Sequence, residues 1–415
     1  IVELISDHGI MLKKTGINFK GLCPFHSEKT PSFSVNSQRG FFHCFGCKAS
    51  GDSIKFLMDI DRLSFTESVQ ELAKRAGIPI ERNTIISSSQ SVDEEMGLKC
   101  LREAASFYLG KIEGKEGNHA NEYLKQRKVS KKMCERFQLG FSPDKWDETL
   151  NFLQQKKIPQ SVIVRTGLIK KSEKSVRYYD TFRGRLMFPV KDHRGRCIGF
   201  GARSLKPVDK PKYLNSPETP YYRKSRILYG LYEGLDDIRK KNRIIFVEGY
   251  LDVMRLHENG LTETVAPCGT ALTPEQLKIV MRYANTAFLL FDGDLAGKNA
   301  ALKHAHILLP HPLESYIINL PDGDDPDTFA LKYGKKGLEE LLEKKVPVLD
   351  YLVQQTIKSL PDTIQGRMQG LEKLLPTLHQ IKDPKRHHIT LITIGERMKI
   401  PPEMLSKEIQ RKSNK

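Results

Sequence analysis

The fold is decided by the stretch Arg243-Ile-Ile-Phe-Val-Glu-Gly-Tyr-Leu-Asp252, in which a continuous apolar run ends in a carboxylate. A short apolar run bounded by polar residues predicts a strand that is buried on both faces. Similar strands and helices alternate downstream of it. The predicted strands are 243–247, 264–266, 287–291 and 316–318, and the predicted helices are 250–258, one opened by Thr273-Pro274, and 297–308. This alternation predicts an α/β domain with a central parallel sheet and right-handed crossovers.

Carboxylates follow three of these predicted strands directly. They are Glu248 and Asp252 after the first strand, Asp292 and Asp294 after the third, and Asp322, Asp324, Asp325 and Asp327 after the fourth. Because ligands of open parallel sheets bind beyond the carboxyl ends of the strands, these groups predict an oxygen-rich pocket for Mg²⁺ or Mn²⁺. A single Asp-Gly loop is ordinary turn chemistry. Acidic loops at three strand ends favour the metal site instead.

Composition indicates a polyanionic partner. The 415 residues carry a net charge of +17. Residues 93–240 hold 32 basic and 19 acidic side chains, whereas residues 241–330 hold 7 basic and 12 acidic ones. A basic block beside an acidic one suggests nucleic acid rather than a membrane face. No apolar run is long enough to span a bilayer, no secretory leader is apparent, and seven Cys do not suggest a disulfide scaffold, so a reducing intracellular setting is expected.

Two short knuckles predict a structural zinc site near the amino terminus. Cys23-Pro-Phe-His26 and Cys44-Phe-Gly-Cys47 each place two ligands on a tight turn, so Cys23, His26, Cys44 and Cys47 can close a tetrahedron. A C-x2-C pair alone could be a redox motif, but a second knuckle makes zinc the better interpretation. His43 breaks the knuckle spacing. Phenylalanines crowd these ligands together with Lys29, Arg39 and Lys48, and exposed ones would form a stacking platform for single-stranded nucleic acid.

The pattern divides the chain into five regions. A zinc module over 1–80 is followed by a polar linker over 81–92, a basic α/β subdomain over 93–240, the acidic parallel-sheet domain over 241–328, and a helical subdomain over 329–415. Within the basic subdomain, residues 94–108 predict a helix and residues 177–204 predict strands of a mixed sheet. The sequence has no Walker lysine loop, so a P-loop ATPase is excluded.

These motifs resemble those of bacterial DNA primases. Cys23 to Cys47 and the following Gly51-Asp52 look like the primase zinc-binding domain. Glu248-Gly-Tyr-Leu-Asp252, Asp292-Gly-Asp294 and Asp325-Pro-Asp327 look like the toprim metal motifs that primases share with topoisomerases. Residues 182–189, 212–219 and 228–232 are similar to stretches special to the primase core. Lys48 stands where a glycine often follows the second knuckle.

The resemblance implies a DNA-directed RNA polymerase, a nucleotidyltransferase that makes short RNA primers on single-stranded DNA from ribonucleoside triphosphates by two-metal transfer. Glu248, Asp292 and Asp294 would be the catalytic metal carboxylates, with Asp252, Asp325 and Asp327 supporting them, and Glu248 is the candidate for proton transfer. Basic residues would hold template or nucleotide, namely Arg183, Arg185, Arg203, Lys212, Lys224 and Arg226. The turn 266–270 would offer backbone N–H groups to phosphate.

Further expectations concern cofactors and partners. The resemblance implies one structural Zn²⁺, two or more catalytic Mg²⁺ or Mn²⁺ ions, and a replicative helicase bound through a domain beyond Lys415. A monomer in the bacterial cytoplasm, at the replication fork of the nucleoid, is expected, with no membrane partner. A toprim nuclease or topoisomerase is a second hypothesis. A type I topoisomerase needs a large arched domain with a nucleophilic tyrosine, and this chain leaves no room for one. A non-catalytic DNA-binding protein would not need all three acidic clusters.

Overall fold

The computed structural model describes residues 1–61, 63, 65–78, 88–172, 177–206, 210–267, 269, 271–401 and 405. The chain forms two compact units, Ile1–Ser87 and Ser88–Lys415. Most of the predicted linker 81–92 lies outside the described residues, and a helix already begins at Ser88. No helix in the described part of the chain is both long and apolar enough to cross a membrane.

The first unit is built on an antiparallel sheet with strand order β1-β2-β3-β4-β5. Its elements are α1 Val2–Asp7, β1 Lys13–Thr15, β2 Asn18–Gly21, β3 Phe33–Asn36, β4 Phe41–Cys44, β5 Ser50–Gly51, α2 Ser53–Ile60 and α3 Phe65–Ala76. Phe33 and Phe42 on neighbouring strands pack with Phe56 of α2 in a fully buried core. The core is small, and the register that pairs Phe33 with Cys44 fixes where the second metal knuckle starts.

The second unit begins with a helical and antiparallel region. Its elements are α4 Ser88–Glu113, α5 Asn118–Gln126, α6 Lys131–Arg136, β6 Gly140–Ser142, α7 Glu148–Gln155, α8 Gln160–Arg165, β7 Ile169–Lys171, β8 Tyr178–Asp180, β9 Arg185–Lys191, β10 Cys197–Ser204 and β11 Tyr213–Asn215. The helix predicted over 94–108 is part of the longer α4. The mixed sheet predicted over 177–204 is wrong, because β11-β10-β9-β6 pair antiparallel throughout and β7 pairs antiparallel with β8. The reason is local, since a tight turn at 192–196 joins β9 to β10 as a hairpin.

The remainder of the second unit contains the predicted parallel sheet. Its elements are β12 Leu228–Tyr229, α9 Leu231–Lys241, β13 Arg243–Phe246, α10 Tyr250–Glu258, β14 Thr264–Pro267, α11 Pro274–Val280, β15 Thr286–Leu290, α12 Leu295–Leu308, β16 Glu314–Ile318, α13 Pro326–Glu343, β17 Val346–Pro347, α14 Val348–Lys358, α15 Ile364–Leu378 and α16 Pro384–Met398. The sheet order is β12-β14-β13-β15-β16-β17, and the four inner strands are parallel as predicted. The two-residue edge strands β12 and β17 run antiparallel and were not predicted.

Both faces of this sheet are covered by apolar cores. Ile245 and Val247 point into a core shared with the preceding antiparallel region, while Ile244 and Phe246 point into a core shared with α14 to α16. Burial on both faces explains why β13 is apolar without alternation. Regions 93–240, 241–328 and 329–415 therefore belong to one compact unit, and the predicted bounds between them stay predictions.

A buried histidine fixes α10 against β14 and makes stability depend on pH. His257 donates from Nε2 to the Thr264 carbonyl at 2.9 Å, and its Nδ1 is buried without a partner among the described residues. Burial lowers the pKa of His257 to about 4. Between that value and the ordinary pKa near 6.5, the unfolded chain binds the extra proton, so stability is lost as pH falls through this window.

We therefore expect the free energy of unfolding to fall by about 2 kcal/mol between pH 7 and pH 5 on account of this histidine alone. His257→Gln should remove that share of the pH dependence, which denaturant titrations at the two pH values would measure. His119→Gln, at an exposed histidine, is the control and should leave the dependence unchanged. An identical pH dependence in His257→Gln and the parent chain would contradict the assignment.

Candidate active site and metal centres

The predicted acidic residues gather at one edge of the parallel sheet. Strands β13, β15 and β16 end there, and helices α10, α12 and α13 begin there. Glu248 is exposed just beyond β13, Asp292 is half-buried just beyond β15, and Asp325 precedes α13. The topology therefore brings to one crevice the three acidic loops that lie far apart in sequence.

Three of the carboxylates also start helices. Asp252 accepts the Gly249 N–H at 3.0 Å, Asp294 accepts the Gly297 N–H at 2.7 Å, and Asp325 accepts the Thr328 N–H at 2.6 Å. One oxygen of each carboxylate is thus held by backbone at a helix amino terminus, where the helix dipole favours negative charge. The other oxygen of each group is available to a ligand.

The Asp292-Gly-Asp294 turn needs its glycine because the chain segments approach closely. A Cβ atom on Gly293 would lie 2.2 Å from the Pro321 carbonyl oxygen, and one on Gly297 would lie 2.1 Å from the Asp292 carbonyl oxygen. Such contacts are not compatible with any side chain. Glycine at these two positions therefore lets the second acidic loop pack directly against the third loop and the start of α12.

The carboxylates of this crevice repel one another. Burial and the nearby Asp292, Asp325 and Asp327 raise the pKa of Asp252 to about 7. Partial desolvation and neighbouring aspartates likewise raise the pKa of Glu248 and of Asp292. Within the described ranges, no Lys, Arg or His forms an ion pair with Glu248, Asp252, Asp292, Asp294 or Asp325. Hard oxygen donors with uncompensated charge fit Mg²⁺ or Mn²⁺.

Other acids of the third loop are already paired with side chains of the protein. Asp322 binds Lys298 at 2.6 Å, and Asp324 binds Lys332. Asp327 is 4% exposed and accepts from Arg255 Nε at 2.6 Å, while Arg127 lies 3.5 Å from its second oxygen. Both oxygens of Asp327 therefore face guanidinium groups. The role predicted for Asp327 as a supporting metal carboxylate stays a prediction.

The four predicted zinc ligands come together in the first unit. Their ligand atoms all lie within 4.8 Å of one another, and in the described part of the chain no other group of three or more metal-binding side chains meets this distance. Cys23 Sγ lies 3.7 Å from Cys47 Sγ, and Cys44 Sγ lies 3.8 Å from His26 Nδ1. Tetrahedral zinc with Zn–S bonds of ~2.3 Å requires a sulfur–sulfur separation of about 3.8 Å, so the donor set fits zinc. His43 packs against Phe45 outside this group.

The Glu28 carboxylate contacts two of the predicted zinc ligands without belonging to the ligand group. Glu28 accepts the backbone N–H groups of Cys23 at 2.7 Å and of Ser32 at 3.1 Å, and its other oxygen lies 3.3 Å from His26 Nε2. This contact leaves Nδ1 of the histidine for the metal. The Ser32 hydroxyl lies 3.2 Å from Cys44 Sγ. The sequence motif did not identify Glu28 as a functional residue, although it stands only two positions beyond the first knuckle.

The phenylalanines around the zinc ligands divide into two groups. Phe33 and Phe42 are core residues, while Phe41 and Phe45 are 43% and 61% exposed. Exposed Arg39 and Lys48 lie in the same segment as these two rings. Lys48 has a φ of 64°, in the left-handed region that favours glycine, and its ammonium donates to the Phe45 carbonyl at 3.0 Å. The backbone thus explains why a glycine is common at this position.

The predicted basic residues occupy different environments. Arg203 is half-buried, Lys212 and Arg226 are exposed, and Lys224 is half-buried. Arg185 is only 7% exposed and donates to the Pro211 carbonyl at 2.9 Å, so it supports the segment before Lys212 from inside. Of the predicted turn 266–270, Cys268 and Thr270 lie outside the described residues.

Sequence patterns missed an aromatic pair beside Arg183, in which Trp146 is exposed and Tyr179 is half-buried. Its guanidinium carbon lies 4.5 Å from the centre of the Trp146 ring and 5.3 Å from that of Tyr179. Trp146 is 67% exposed, and its ring meets Tyr179 edge to face at 5.9 Å. We call these three residues the Trp146 platform. The exposed Trp146 ring with a guanidinium group beside it suits an unpaired nucleobase.

Comparisons with known proteins match most of this chain. Three family models match, namely a CHC2 zinc finger over residues 1–88, the N-terminal domain of the DNA primase catalytic core over 107–234, and a Toprim-like domain over 245–330. The zinc-ribbon and toprim fold classes predicted from the sequence are confirmed. The first match also supports structural zinc.

Individual relatives agree with these models. The DNA primase of Escherichia coli strain K12 is 38% identical over 387 residues, which is 92% of this chain and 66% of that protein. A crystal structure of the Aquifex aeolicus primase zinc-binding and RNA polymerase domains has a TM-score of 0.66 at 32% identity, and the match covers 97% of this chain and 96% of that one. A DnaG primase catalytic domain bound to single-stranded DNA has a TM-score of 0.66 at 33% identity, covering 74% and 99%. The chain spans about two thirds of the length of the curated relatives it matches.

The position of Glu28 behind the ligands predicts its effect on zinc binding. Glu28→Gln keeps an acceptor for the loop N–H groups but removes the charge beside His26, and we expect zinc affinity to fall roughly 10- to 100-fold. Competition with a chromogenic chelator would measure this. Glu3→Gln, at an exposed residue of α1, is the control and should bind zinc as tightly as the parent chain. Equal zinc affinity in Glu28→Gln would show that the contact does not support the metal.

Proposed function

The chain belongs to the bacterial DNA primase family, and we propose on that basis that it is a DNA-directed RNA polymerase that makes short RNA primers on single-stranded DNA during replication. The observation that carries this proposal is the crevice of five carboxylates that form no ion pair with any described Lys, Arg or His, in the same compact unit as a strongly basic region. Such a crevice suits divalent ions, and the basic region suits the nucleic acid and triphosphate on which those ions would act.

We propose that Glu248, Asp292 and Asp294 hold the catalytic Mg²⁺ or Mn²⁺ ions, with Asp252 and Asp325 supporting them. When bound, these ions would lower the pKa of a primer 3′-hydroxyl and neutralise the charge of departing pyrophosphate. Glu248 is the exposed carboxylate of the crevice, and partial burial together with neighbouring aspartates raises its pKa, so we propose it as the group that accepts the hydroxyl proton. Asp327 would support the metal site indirectly, because it contacts Arg255 and Arg127 and not an open ligand position.

We propose separate roles for the basic residues. Arg203, Lys224 and Arg226 would hold the triphosphate or the nearby template. Arg183 and Lys212 would guide the single-stranded template, with a nucleobase stacked on the Trp146 platform. Arg185 supports the chain before Lys212 from inside the subdomain. The DnaG relative bound to single-stranded DNA supports a template of that kind.

The zinc unit would act on the template as well. Exposed Phe41 and Phe45 together with Arg39 and Lys48 offer rings and cations on one small scaffold, which zinc would keep folded. We propose that this unit grips the template and helps to select where priming begins. The proposal extends to a monomer in the bacterial cytoplasm at the replication fork, a replicative helicase as partner through a domain beyond Lys415, and the domain bounds 93–240, 241–328 and 329–415.

Primer synthesis is the direct test. The chain, incubated with single-stranded DNA, labelled ribonucleotides and Mg²⁺ or Mn²⁺, should yield short labelled RNA. Glu248→Gln should lower the rate at least about 100-fold because it removes a charge that acts on the transition state, while sparing DNA binding. Glu340→Gln, at an exposed surface pair on α13, is the control. Cleaved or relaxed DNA without incorporated nucleotide would instead favour a nuclease or topoisomerase.

The Trp146 platform generates a second prediction. Trp146→Ala should weaken binding of single-stranded DNA by roughly 5- to 150-fold, since stacking contributes about 1–3 kcal/mol per base. Fluorescence anisotropy at fixed salt would measure the loss. Trp146 is the sole tryptophan, so its own emission should be quenched when the parent chain binds DNA. Tyr333→Ala removes another exposed ring and should bind normally. Unquenched emission with unchanged affinity would rule the platform out.

A further inference from the structure

One tyrosine of α5 lies beneath two arginines. The guanidinium carbon of Arg203 is 4.0 Å from the centre of the Tyr123 ring, and that of Arg127 is 5.8 Å from the same centre. Arg203 comes from β10, whereas Arg127 follows the end of α5. A single ring therefore contacts cations from two separate elements, and the negative face of the ring attracts both.

These cations lie beside the acidic crevice. Arg127 reaches Asp327 at 3.5 Å, at the start of α13. Arg203 lies 5.8 Å from the Tyr213 ring, which stacks on Tyr250 at 6.1 Å. Tyr250 begins α10, two residues after Glu248. The row of rings and guanidinium groups thus leads from α5 to the first turn of α10, the helix that carries Asp252.

The polar atoms of this row are not fully satisfied. Arg203 Nε and the Tyr123 hydroxyl are buried and have no hydrogen-bond partner among the residues that the structure describes. Asp327 is the carboxylate that Arg127 contacts, and it is shared with Arg255. Arg127 and Arg203 place two guanidinium groups near one ring, and the Arg127 side chain is 41% exposed, so the pair can offer N–H donors to an anion. A phosphate group can accept hydrogen bonds from two guanidinium groups at once.

We propose that Tyr123 is a positioning residue that presents Arg203 and Arg127 together to the phosphates of the incoming ribonucleoside triphosphate. The proposal rests on the proposed function, because it names how the same site recognises its nucleotide. Tyr123 does not contact the reacting atoms. Its ring sets the spacing of two cations, so its removal would loosen nucleotide binding without removing either charge.

The test compares Tyr123→Leu with Tyr123→Phe in primer synthesis at saturating template. Tyr123→Leu removes the ring face and should raise KM for the ribonucleotide roughly tenfold, with kcat within twofold of the parent chain. Tyr123→Phe keeps the ring and should restore the parent KM. The midpoint of thermal unfolding and the affinity for single-stranded DNA should be unchanged in both variants. Tyr333→Leu, at an exposed ring of α13, is the matched control.

Three outcomes would overturn the proposal. An unchanged KM in Tyr123→Leu would show that the ring does not position the arginines. A joint change in KM, kcat, DNA affinity and thermal stability would show a purely structural role. An equal defect in Tyr123→Phe would assign the effect to the hydroxyl instead of the ring face. A parent chain that makes no RNA would instead contradict the proposed function, so the two failures are distinguishable.

Discussion

The buried ion pair between Arg255 and Asp327 joins α10 to the start of α13, next to the acidic crevice of the second unit. Both side chains are 4% exposed, and Arg255 also donates to Glu258 and to the carbonyls of Arg127 and Lys128. Removing one partner of such a pair typically costs about 3–5 kcal/mol, because the other charge is left buried alone. Arg255 therefore connects α10 to the start of α13 and to the segment after α5. These contacts fix the position of Asp325 in the acidic crevice and of Arg127 beside it.

Sequence reasoning succeeded where one physical rule acts along a short segment. Apolar runs such as Ile244 to Val247 predict doubly buried strands, and the knuckle spacing predicts zinc ligands, because both signals are local. It failed where the deciding contact is distant in the chain. Three contacts join residues that no periodicity relates. They are the ion pair of Asp327 with Arg255, the hydrogen bond of buried Arg185 to Pro211, and the stacking of Trp146 on Arg183. The antiparallel β6 was also missed, since three residues carry too little pattern to reveal a partner.

The two units rely on different sources of stability. The first has a small core of a few buried phenylalanines around the zinc ligands, so a bound metal would add substantially to its stability. The second has two continuous apolar cores on either side of a parallel sheet, so much of its stability comes from apolar burial.

The helix-capping carboxylates have a consequence for the cost of binding metal. A free aspartate loses rotamer freedom when a cation immobilises it, and that loss opposes binding. Asp252, Asp294 and Asp325 are already immobilised by the backbone N–H groups at the starts of α10, α12 and α13. Folding therefore bears the entropic cost before any ion arrives. Ions that enter and leave in every catalytic cycle would meet side chains that do not have to be ordered each time.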